Sequence, residues 1–364
     1  MKNNFYLPIL KSKLGEFVAL SKLSPLQMES ISPLFEVTPL EWDQTERKTP
    51  RTWEDHLDSF CKKFVAKWKR NNAFIDTSLL NWEDHDNTNR ISYVYDKLAS
   101  YNLSPVPVTS LITSTMFDKA FKYILKRYNI NEIALRVSPG DVTNPEFENN
   151  ILEMLTDYEI KPQNTHLIFD LKEPDFSEPD DFAEGITAML EDFPFLSEWK
   201  TFTIAGTSFP SSSSIKEGTT AFSRNEWKFY KSLIKNLKAT SYKRSINYGD
   251  YSIVNPTYFE FNPKLMSASA NIRYTHHDQW IVAKGKALKN KTAFTQYLGL
   301  AGKIVSSGYY FGEKYSDGDH HLAKCVRKEE GPGSPAVWMW VGHNHHFTKV
   351  LQDLFSIPPA SSGN

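Results

Sequence analysis

The sequence is poor in cysteine and has almost no net charge. Its 364 residues contain only two cysteines, Cys61 and Cys325, and no CxxC pair, which argues against a disulfide framework and against cysteine-based zinc or redox chemistry. Lysine plus arginine (42) nearly balance aspartate plus glutamate (43), so no overall field draws the chain onto nucleic acid or an anionic membrane. We therefore expect a protein of the reducing cytoplasm, without nucleic acid or a membrane as its partner.

Long apolar runs and several catalytic signatures are also missing. No stretch reaches the roughly 20 apolar residues of a membrane helix, and Lys11, Lys13 and Glu16 interrupt the N-terminal segment before a secretory core could form. The chain has no GxSxG elbow, no HExxH and no DxDxDG loop, and the segment GTSFPSSSS lacks the Gly-Lys-Ser/Thr ending of a P-loop. These absences disfavour serine-nucleophile, metallopeptidase and P-loop chemistry.

A large core and a repeating pattern of elements are what the sequence does contain. Hydrophobic residues make up 40% and aromatic residues 14% of the chain, enough for a globular fold. Short apolar runs alternate with helical segments, as expected for β-α units around a parallel sheet. The eight predicted strands are YLPIL (6–10), PLFEV (33–37), AFIDTSL (73–79), VPVTSL (106–111), EIALRVS (132–138), HLIFDL (166–171), TFTIAGTS (201–208) and SINYGDY (245–251).

Amphipathic helices occupy the segments between these strands, because their apolar residues recur at intervals of three and four. Eight strands and seven helical links predict a (β/α)8 barrel, a TIM-like fold, over residues 5–307. The lack of a glycine-rich first turn disfavours a doubly wound sheet. The predicted helices are 14–23, 53–70, 90–102, 116–129, 145–158, 179–193 and 223–237.

The pattern changes after the eighth strand. Residues 270–285 are predicted to form two strands joined by a polar turn, and residues 291–307 to form the closing helix. A Gly/Pro-rich break, KEEGPGSPAV, interrupts residues 308–357, so we expect this C-terminal extension to fold onto the barrel. The last residues, 358–364, are predicted to be a disordered tail.

Polar residues recur at the carboxyl ends of the predicted strands, where barrel proteins place their functional sites. Four of the eight ends carry a carboxylate, and neighbouring positions supply basic and aromatic groups. The predicted catalytic residues are Glu36, Asp76, Asp170 and Asp250. The predicted substrate-binding residues are Lys11, Lys13, Arg136, Tyr248, Arg273, Tyr274, His343 and His346.

These carboxylates would lose hydration near an apolar barrel, so they must be paired, metal-bound or shifted in pKa. Two roles fit. Glu36, Asp76 and Asp170 could bind a divalent cation through hard oxygen atoms, or a carboxylate pair with separated pKa values could perform acid-base chemistry. Acidic residues also end strands by capping the next helix or by starting a turn, so a structural role stays open.

The segment VWMWVGHNHHFT (337–348) places three histidines within four positions. Gly342 is predicted to end a strand, and Asn344 to cap a helix over residues 345–355. His345 and His346 would then point in different directions, which disfavours a shared metal ion. We instead expect the start of this helix to present free amides and imidazoles to the barrel mouth, a geometry that suits an anion.

Several short motifs together resemble the phage Beta protein family: YLPILKSKLGEFVALSKL, SPLFEV, the pair GD (318–319), the tryptophans at 338 and 340, and GHNHH (342–346). The likeness runs from residue 6 to about 350. The family is found in satellite prophages and other mobile elements, in gop-beta-cll-type modules. The resemblance implies a bacterial cytoplasmic protein of phage origin, linked to anti-phage defence or to restraint of a toxic neighbour. It implies no established reaction.

Two functions compete on this basis. The first is a barrel hydrolase that acts on an anionic substrate, a phosphoester or nucleotide, with or without a divalent cation. The second is a non-catalytic barrel that binds a phage component or a toxin partner protein encoded in the same module. Recognition of nucleic acid by the basic run KSLIKNLKATSYKR (231–244) is a third hypothesis.

Overall fold

Eight parallel strands close into a barrel in the computed structural model, which describes residues 2–40, 51–80, 88–240, 242, 244–256 and 268–357. Each strand pairs with the next, and the last pairs with the first, with Leu7 beside Gly249. This TIM-like fold was predicted from the sequence. The strands are β1 (Leu7–Leu10), β2 (Leu34–Glu36), β3 (Phe74–Asp76), β4 (Val106–Thr109), β5 (Ile133–Val137), β6 (Thr165–Asp170), β7 (Thr201–Ala205) and β9 (Ile246–Asp250); β8 lies outside the barrel.

Helices cover the outside of the barrel. Ser24, Thr52 and Ser114 each precede a helix and accept a hydrogen bond from a backbone amide of its first turn, which fixes where the helix begins. A short 3-10 helix (Pro162–Asn164) precedes β6. The helices are α1 (Leu14–Ser21), α2 (Pro25–Glu29), α3 (Trp53–Lys67), α4 (Thr88–Ala99), α5 (Thr115–Arg127), α6 (Pro139–Val142), α7 (Phe147–Asp157), α8 (Pro179–Glu191) and α9 (Asn225–Ala239).

Alternation along the strands divides the barrel core in two. Side chains such as Leu10 and Phe35 belong to the larger core that the strands share with the helices. Ile9 and Leu34, which directly precede these two residues, and Phe74 belong to a separate core inside the barrel. Because successive side chains of a strand point to opposite faces, a residue's parity decides whether it can reach the barrel interior.

A three-stranded antiparallel sheet stands beside the barrel, in the order β10 (Ser269–His276), β11 (Gln279–Ala287), β8 (Gly218–Ser223). Its hairpin confirms the two strands predicted over residues 270–285. The strand β8 was not predicted from the sequence, and the predicted helix 223–237 started at Ser223, where this strand ends. The reason is physical: β8 is a partly exposed edge strand, and its sequence GTTAFS has no apolar run to signal burial.

Three more helices pack on this sheet: α10 (Gln296–Val305), α11 (Asp317–Val326) and α12 (Pro335–Phe355), with a 3-10 turn (Lys291–Thr295) before α10. They form a second core that contains Ile272, Tyr297, Leu322 and Trp338. The other end of α12 joins the barrel core through Phe347. Packing therefore crosses the predicted boundary at residue 307, and the division into domains stays a prediction. The predicted tail, 358–364, lies outside the described residues.

The helix α12 runs without a break through GHNHH, so the prediction of a helix starting after Asn344 was wrong. Gly342 lies inside α12, where a Cβ atom would stand 2.6 Å from Ile253 Cδ1 and 2.9 Å from the Arg273 carbonyl oxygen. The glycine thus permits close packing instead of ending a strand. The GHNHH amides lie in mid-helix and cannot form an anion site. Neither α12 nor any other helix of the described ranges is long and apolar enough to cross a membrane.

Candidate functional site

Polar side chains at the barrel mouth continue the rows of residues that face the barrel interior. Each of five lies two positions after a residue of the interior core, and Tyr251 itself belongs to that core, one residue beyond β9. Because all eight strands are parallel, these positions meet at one end of the barrel. The five pairs are Ile9 with Lys11, Leu34 with Glu36, Phe74 with Asp76, Ala134 with Arg136, and Ile168 with Asp170.

Arg136 lies at the centre of this group. Its Nη1 donates to Glu36 Oε1 at 2.9 Å and to Asp76 Oδ2 at 2.6 Å. Its Nε and Nη2 donate to Asp170 Oδ2 at 3.0 and 2.7 Å, and Nη2 also donates to the Tyr251 hydroxyl at 3.0 Å. A guanidinium has five N–H donors, so these contacts use its whole donor capacity.

The three carboxylates differ in what capacity they retain. Asp170 Oδ2 accepts from Arg136 and from the Tyr251 hydroxyl at 2.7 Å, which fills this oxygen, and Oδ1 accepts from the Lys172 amide at 3.0 Å and keeps one lone-pair position. Asp76 accepts from Arg136 and from the Ser78 amide at 2.8 Å. Glu36 accepts from Arg136 and forms an ion pair with the Lys11 ammonium. Asp76 and Glu36 therefore each keep about two lone-pair positions for a ligand.

Burial and ion pairing fix the charge of the central groups. Burial lowers the pKa of Arg136, but attraction to Asp170 and the other acids outweighs burial and holds the pKa well above its usual value. Burial raises the pKa of Tyr251 well above its usual value. Arg136 is therefore a permanent cation, and Tyr251 is a neutral phenol at physiological pH.

These side chains border a cavity of about 870 Å³. Among the described residues around it, five carboxylates face three cations, which leaves an excess of two negative charges. Apolar and hydroxyl-bearing residues such as Val108, Phe117 and Thr109 complete its walls. The acids are Glu36, Asp76, Asp141, Asp170 and Glu173, and the cations are Lys11, Arg136 and Lys172.

Three residues predicted at the strand ends do not reach this cavity within the described structure. Lys13 is exposed at the N-cap of α1. Tyr248 faces outward from β9 and packs on Tyr230 of α9, with 4.9 Å between ring centroids. Asp250, in the same row as Tyr248, accepts from the Tyr6 hydroxyl at 2.5 Å and lies 2.9 Å from His346 Nε2. The prediction of Asp250 at the mouth was wrong because successive side chains of a strand point to opposite faces, and Asp250 lies on the outer one.

The other four predicted ligand-binding residues lie in the packing between α12, β10 and the barrel. Arg273 Nη1 donates to the Ile253 carbonyl at 2.7 Å, and burial lowers the pKa of this arginine to about 10. The Tyr274 hydroxyl donates to Asp319 Oδ1 at 2.7 Å. His343 and His346 are fully buried. In the described structure these four residues do not border the cavity, so their predicted role at the mouth is corrected.

Tyr251 is the residue that sequence reasoning missed. It is 1% exposed, bonds to both Arg136 and Asp170, and borders the cavity. The signal for it was present, because Tyr251 ends the predicted strand SINYGDY and has the parity of the interior residue Gly249. Counting by two from the barrel interior would have selected Tyr251 in place of Tyr248 and Asp250.

Glu36, Asp76 and Asp170 converge, as a divalent-cation site would require, but they converge on Arg136. Across the described ranges, no three His, Cys, Asp or Glu side chains are arranged to hold a metal ion. The guanidinium already supplies the positive charge these acids need, through charge-assisted hydrogen bonds. An ion could bind the three acids only if Arg136 moved away.

The fold and the site define a (β/α)8-barrel protein with an acidic mouth built around a buried arginine. The chain belongs to the Beta protein family, whose sequence model matches residues 6–352. The family predicted from the short motifs is thereby confirmed, and the match spans both the barrel and the C-terminal helices.

Known structures and curated proteins add little to this assignment. No curated protein matches the sequence. Two solved structures that align with the chain are the catalytic domain of a hyperthermophilic chitinase from Pyrococcus furiosus and catalytic-site mutants of active domain 2 of chitinase from the same organism. Their identities are 7% and 9% and their TM-scores 0.35 and 0.38, and each alignment covers 68% of this chain and 84% of the other.

Proposed function

We propose that the barrel mouth binds a small polar molecule that is neutral or positively charged and rich in hydrogen-bond donors. The observation that carries the proposal is the saturation of Arg136, whose five N–H groups all bind residues of the mouth. A ligand therefore meets the acceptors of Asp76 and Glu36, and the ammonium of Lys11, in a cavity with more acids than cations.

This proposal departs from the anionic substrate expected from the sequence. Lys11 and Arg136 were predicted to bind an anion, but both are paired with carboxylates of the mouth. A phosphoester or nucleotide would face the excess of acids without a free guanidinium, and bringing like charges together is unfavourable.

Hydrolysis of the bound molecule is the catalytic form of the proposal. Glu36 and Asp76 retain lone pairs and can act as a general base that activates a water molecule. Tyr251 is a neutral phenol whose single proton is donated to Asp170, so it can protonate a leaving group only by turning this O–H away from Asp170, while Arg136 continues to hold its oxygen. Arg136 is then a positioning residue, and the residues that touch the substrate are Glu36, Asp76 and Tyr251.

A thermal-shift comparison of three small probes tests the choice of ligand class. Spermidine represents cations, erythritol neutral polyols, and AMP the anionic substrates. We expect spermidine or erythritol to raise the melting temperature of the wild type but not of Asp76→Asn, while Glu148→Gln, an exposed carboxylate on α7, behaves as the wild type. Stabilisation by AMP alone would overturn the proposal.

We also propose a biological setting for the protein. The resemblance to phage Beta proteins supports a cytoplasmic role in anti-phage defence or in the control of a toxic neighbour. A plaque assay on bacteria that express the wild type or Asp76→Asn measures this role. Equal phage resistance in both strains, with protection over an empty vector, would show that the mouth is not needed for defence.

A second candidate function is a non-catalytic scaffold that binds a toxin partner or a phage component. The saturated pairing of Arg136 with Asp170 favours it, because such a network also serves simply to fill a barrel end. Under this hypothesis, surface substitutions within residues 308–357 abolish capture of the partner encoded in the same module, whereas Asp76→Asn has no effect. The opposite pattern favours the mouth.

A further inference from the structure

The end of β9 connects two polar groups that are otherwise separate. Asp250 and Ser252 face α12, whereas Tyr251, between them, faces the mouth. Both outward side chains bond to histidines of α12: His346 Nε2 donates to Asp250 Oδ2 at 2.9 Å, and a 2.8 Å hydrogen bond joins His343 Nδ1 to Ser252 Oγ. The two histidines are three residues apart, so they share one face of the helix.

We propose that His343 and His346 are positioning residues for the mouth, which act through Ser252 and Asp250 on the hydroxyl of Tyr251. The functional half of this inference, an effect on ligand binding, rests on the function proposed above. The structural half, control of Tyr251, does not.

The backbone at Ser252 explains why this contact matters. Ser252 adopts a φ of 54°, in the left-handed region that non-glycine residues rarely occupy unless their surroundings hold them there. Two bonds do so: the Ser252 amide donates to Asp250 Oδ1 at 2.8 Å, and its hydroxyl is held by His343. The turn directly after Tyr251 therefore depends on both outward residues.

The helix α12 is itself held in place by other contacts, so it can fix the position of the end of β9. His346 Nδ1 lies 2.8 Å from Thr275 Oγ1 of β10. Because Nε2 of the neutral imidazole carries the proton and donates it in a hydrogen bond to Asp250, Nδ1 accepts from the Thr275 hydroxyl. The lack of a side chain at Gly342 lets α12 approach Ile253, the next residue of the same turn. A shift of α12 would consequently move residues 250–253 as a unit, and with them the Tyr251 phenol.

Fluorine NMR of the full chain labelled with 3-fluorotyrosine tests this inference. The Tyr251 resonance is assigned by its loss in Tyr251→Phe. Ser252→Ala and His343→Gln remove the contact from either side. Ser316→Ala and His345→Gln are matched controls: Ser316 is a buried hydroxyl and His345 a buried imidazole of α12, and both bond to Asp319 rather than to β9.

We expect the Tyr251 resonance to shift or broaden in Ser252→Ala and His343→Gln and to stay in place in both controls. Binding of spermidine should weaken by about threefold in the first pair, the change expected for partial loss of one hydrogen bond. If His343→Gln does not fold, Ser252→Ala decides, because it deletes only a hydroxyl.

An unmoved Tyr251 resonance in folded Ser252→Ala, or equal shifts in all four variants, would overturn the inference. The outcomes also separate it from the proposed function. A resonance that moves selectively while the wild type binds no probe supports the link to α12 and refutes the ligand proposal. If probe binding depends on Asp76 but not on Ser252, and the Tyr251 resonance does not move, the ligand proposal is supported and the link to α12 is refuted.

Discussion

Two buried clusters of carboxylates and polar partners lie on opposite sides of the same strand end. The mouth cluster consists of Lys11, Glu36, Asp76, Arg136, Asp170 and Tyr251. The helix cluster consists of Tyr6, Asp250, Ser252, Thr275, Asp319, His343, His345 and His346. The mouth cluster borders a cavity of about 870 Å³, whereas the helix cluster is enclosed by packed aromatic and aliphatic groups, and its three histidines are 0% exposed.

The difference shows that residue type alone does not make a site. In the helix cluster, Asp319 accepts from Tyr274 and Ser316 and pairs with His345, all within 2.7 Å, and none of the cluster's residues borders the mouth cavity. Such a network of short bonds around Asp319 specifies packing. The mouth contains equally strong bonds, but two of its acids, Glu36 and Asp76, keep lone-pair positions and border an open cavity. Variants that alter only one of the two clusters therefore test whether the mouth is a site and the helix cluster is structural.

The largest effect is expected from Arg136→Met. Removing the guanidinium leaves Glu36, Asp76 and Asp170 buried together without their shared cation, which should lower the free energy of unfolding by about 3–5 kcal/mol. Urea unfolding followed by circular dichroism measures this loss. Arg136→Lys keeps the charge and should lose less. A loss below about 1 kcal/mol in Arg136→Met would mean that the acids are not held by this residue.

Asp319→Ala should have the next largest effect on stability, with none on the mouth. It leaves the Tyr274 hydroxyl and His345 Nδ1 without their partner, at a cost of about 3 kcal/mol. Asp317→Ala, its more exposed neighbour on α11, is the control and should change little. If Asp319→Ala also abolished ligand binding while folded, the two clusters would not be independent.

Part of the pH dependence of stability near neutrality should come from the helix cluster. Burial lowers the pKa of His343 well below its usual value of 6.5 and also lowers the pKa of His346. Below about pH 6.5 the unfolded chain binds protons that the folded state excludes, so stability falls as the pH falls, by up to about 1.4 kcal/mol per pH unit for each histidine.

A comparison of the wild type with His343→Gln isolates the contribution of His343 to the pH dependence of the free energy of unfolding. Burial raises the pKa of Glu16 and of Glu226, which opposes the trend, but these residues are common to both proteins and cancel in the difference. Unfolding free energies measured between pH 5 and 8, a window centred near the usual histidine pKa, should fall less steeply in the variant. Parallel curves would show that His343 does not titrate between the folded and unfolded states as its burial requires.

The smallest stability effects are expected from Asp76→Asn and Asp170→Asn. Both substitutions keep the shape of the side chain and one acceptor oxygen for Arg136, but they place an amide N–H against the Ser78 or Lys172 amide, so the free energy of unfolding should fall by about 1–2 kcal/mol. Urea unfolding measures this as well. A collapse of the fold in both variants would assign the mouth carboxylates a structural role and remove the basis for a site there.

The barrel was predictable because its signals are local and repeated. Each strand, such as HLIFDL, has an apolar run, and each helix, such as 53–70, has an apolar periodicity that can be recognised locally. Eight strands that alternate with helices are compatible with few folds other than a barrel. The strand β8 was not predictable in this way, since an exposed edge strand has no apolar run. The start of α12 was predicted wrongly because Gly342 was interpreted as the end of a strand. The glycine is instead required by close packing against Ile253, which is 89 positions away in the chain.

The site was predictable only in part, for a related reason. Glu36, Asp76, Arg136 and Asp170 were identified because they end well-defined strands, and their convergence follows from the parallel barrel. That they converge on Arg136, and so leave no room for a metal ion, depends on side-chain directions that no spacing reveals. The parity that separates Asp250 from Tyr251 is present in the sequence, and applying it along SINYGDY would have predicted Tyr251 at the mouth and Asp250 on the outer face.

The most direct test of the central claim is a calorimetric titration of spermidine into wild type, Asp76→Asn and Asp319→Ala at one ionic strength. If the acidic mouth is the working site and the helix cluster is structural, Asp76→Asn should bind about tenfold more weakly, or about 1.4 kcal/mol, while Asp319→Ala binds as the wild type. Equal binding by the wild type and Asp76→Asn, with binding lost in folded Asp319→Ala, would contradict the claim.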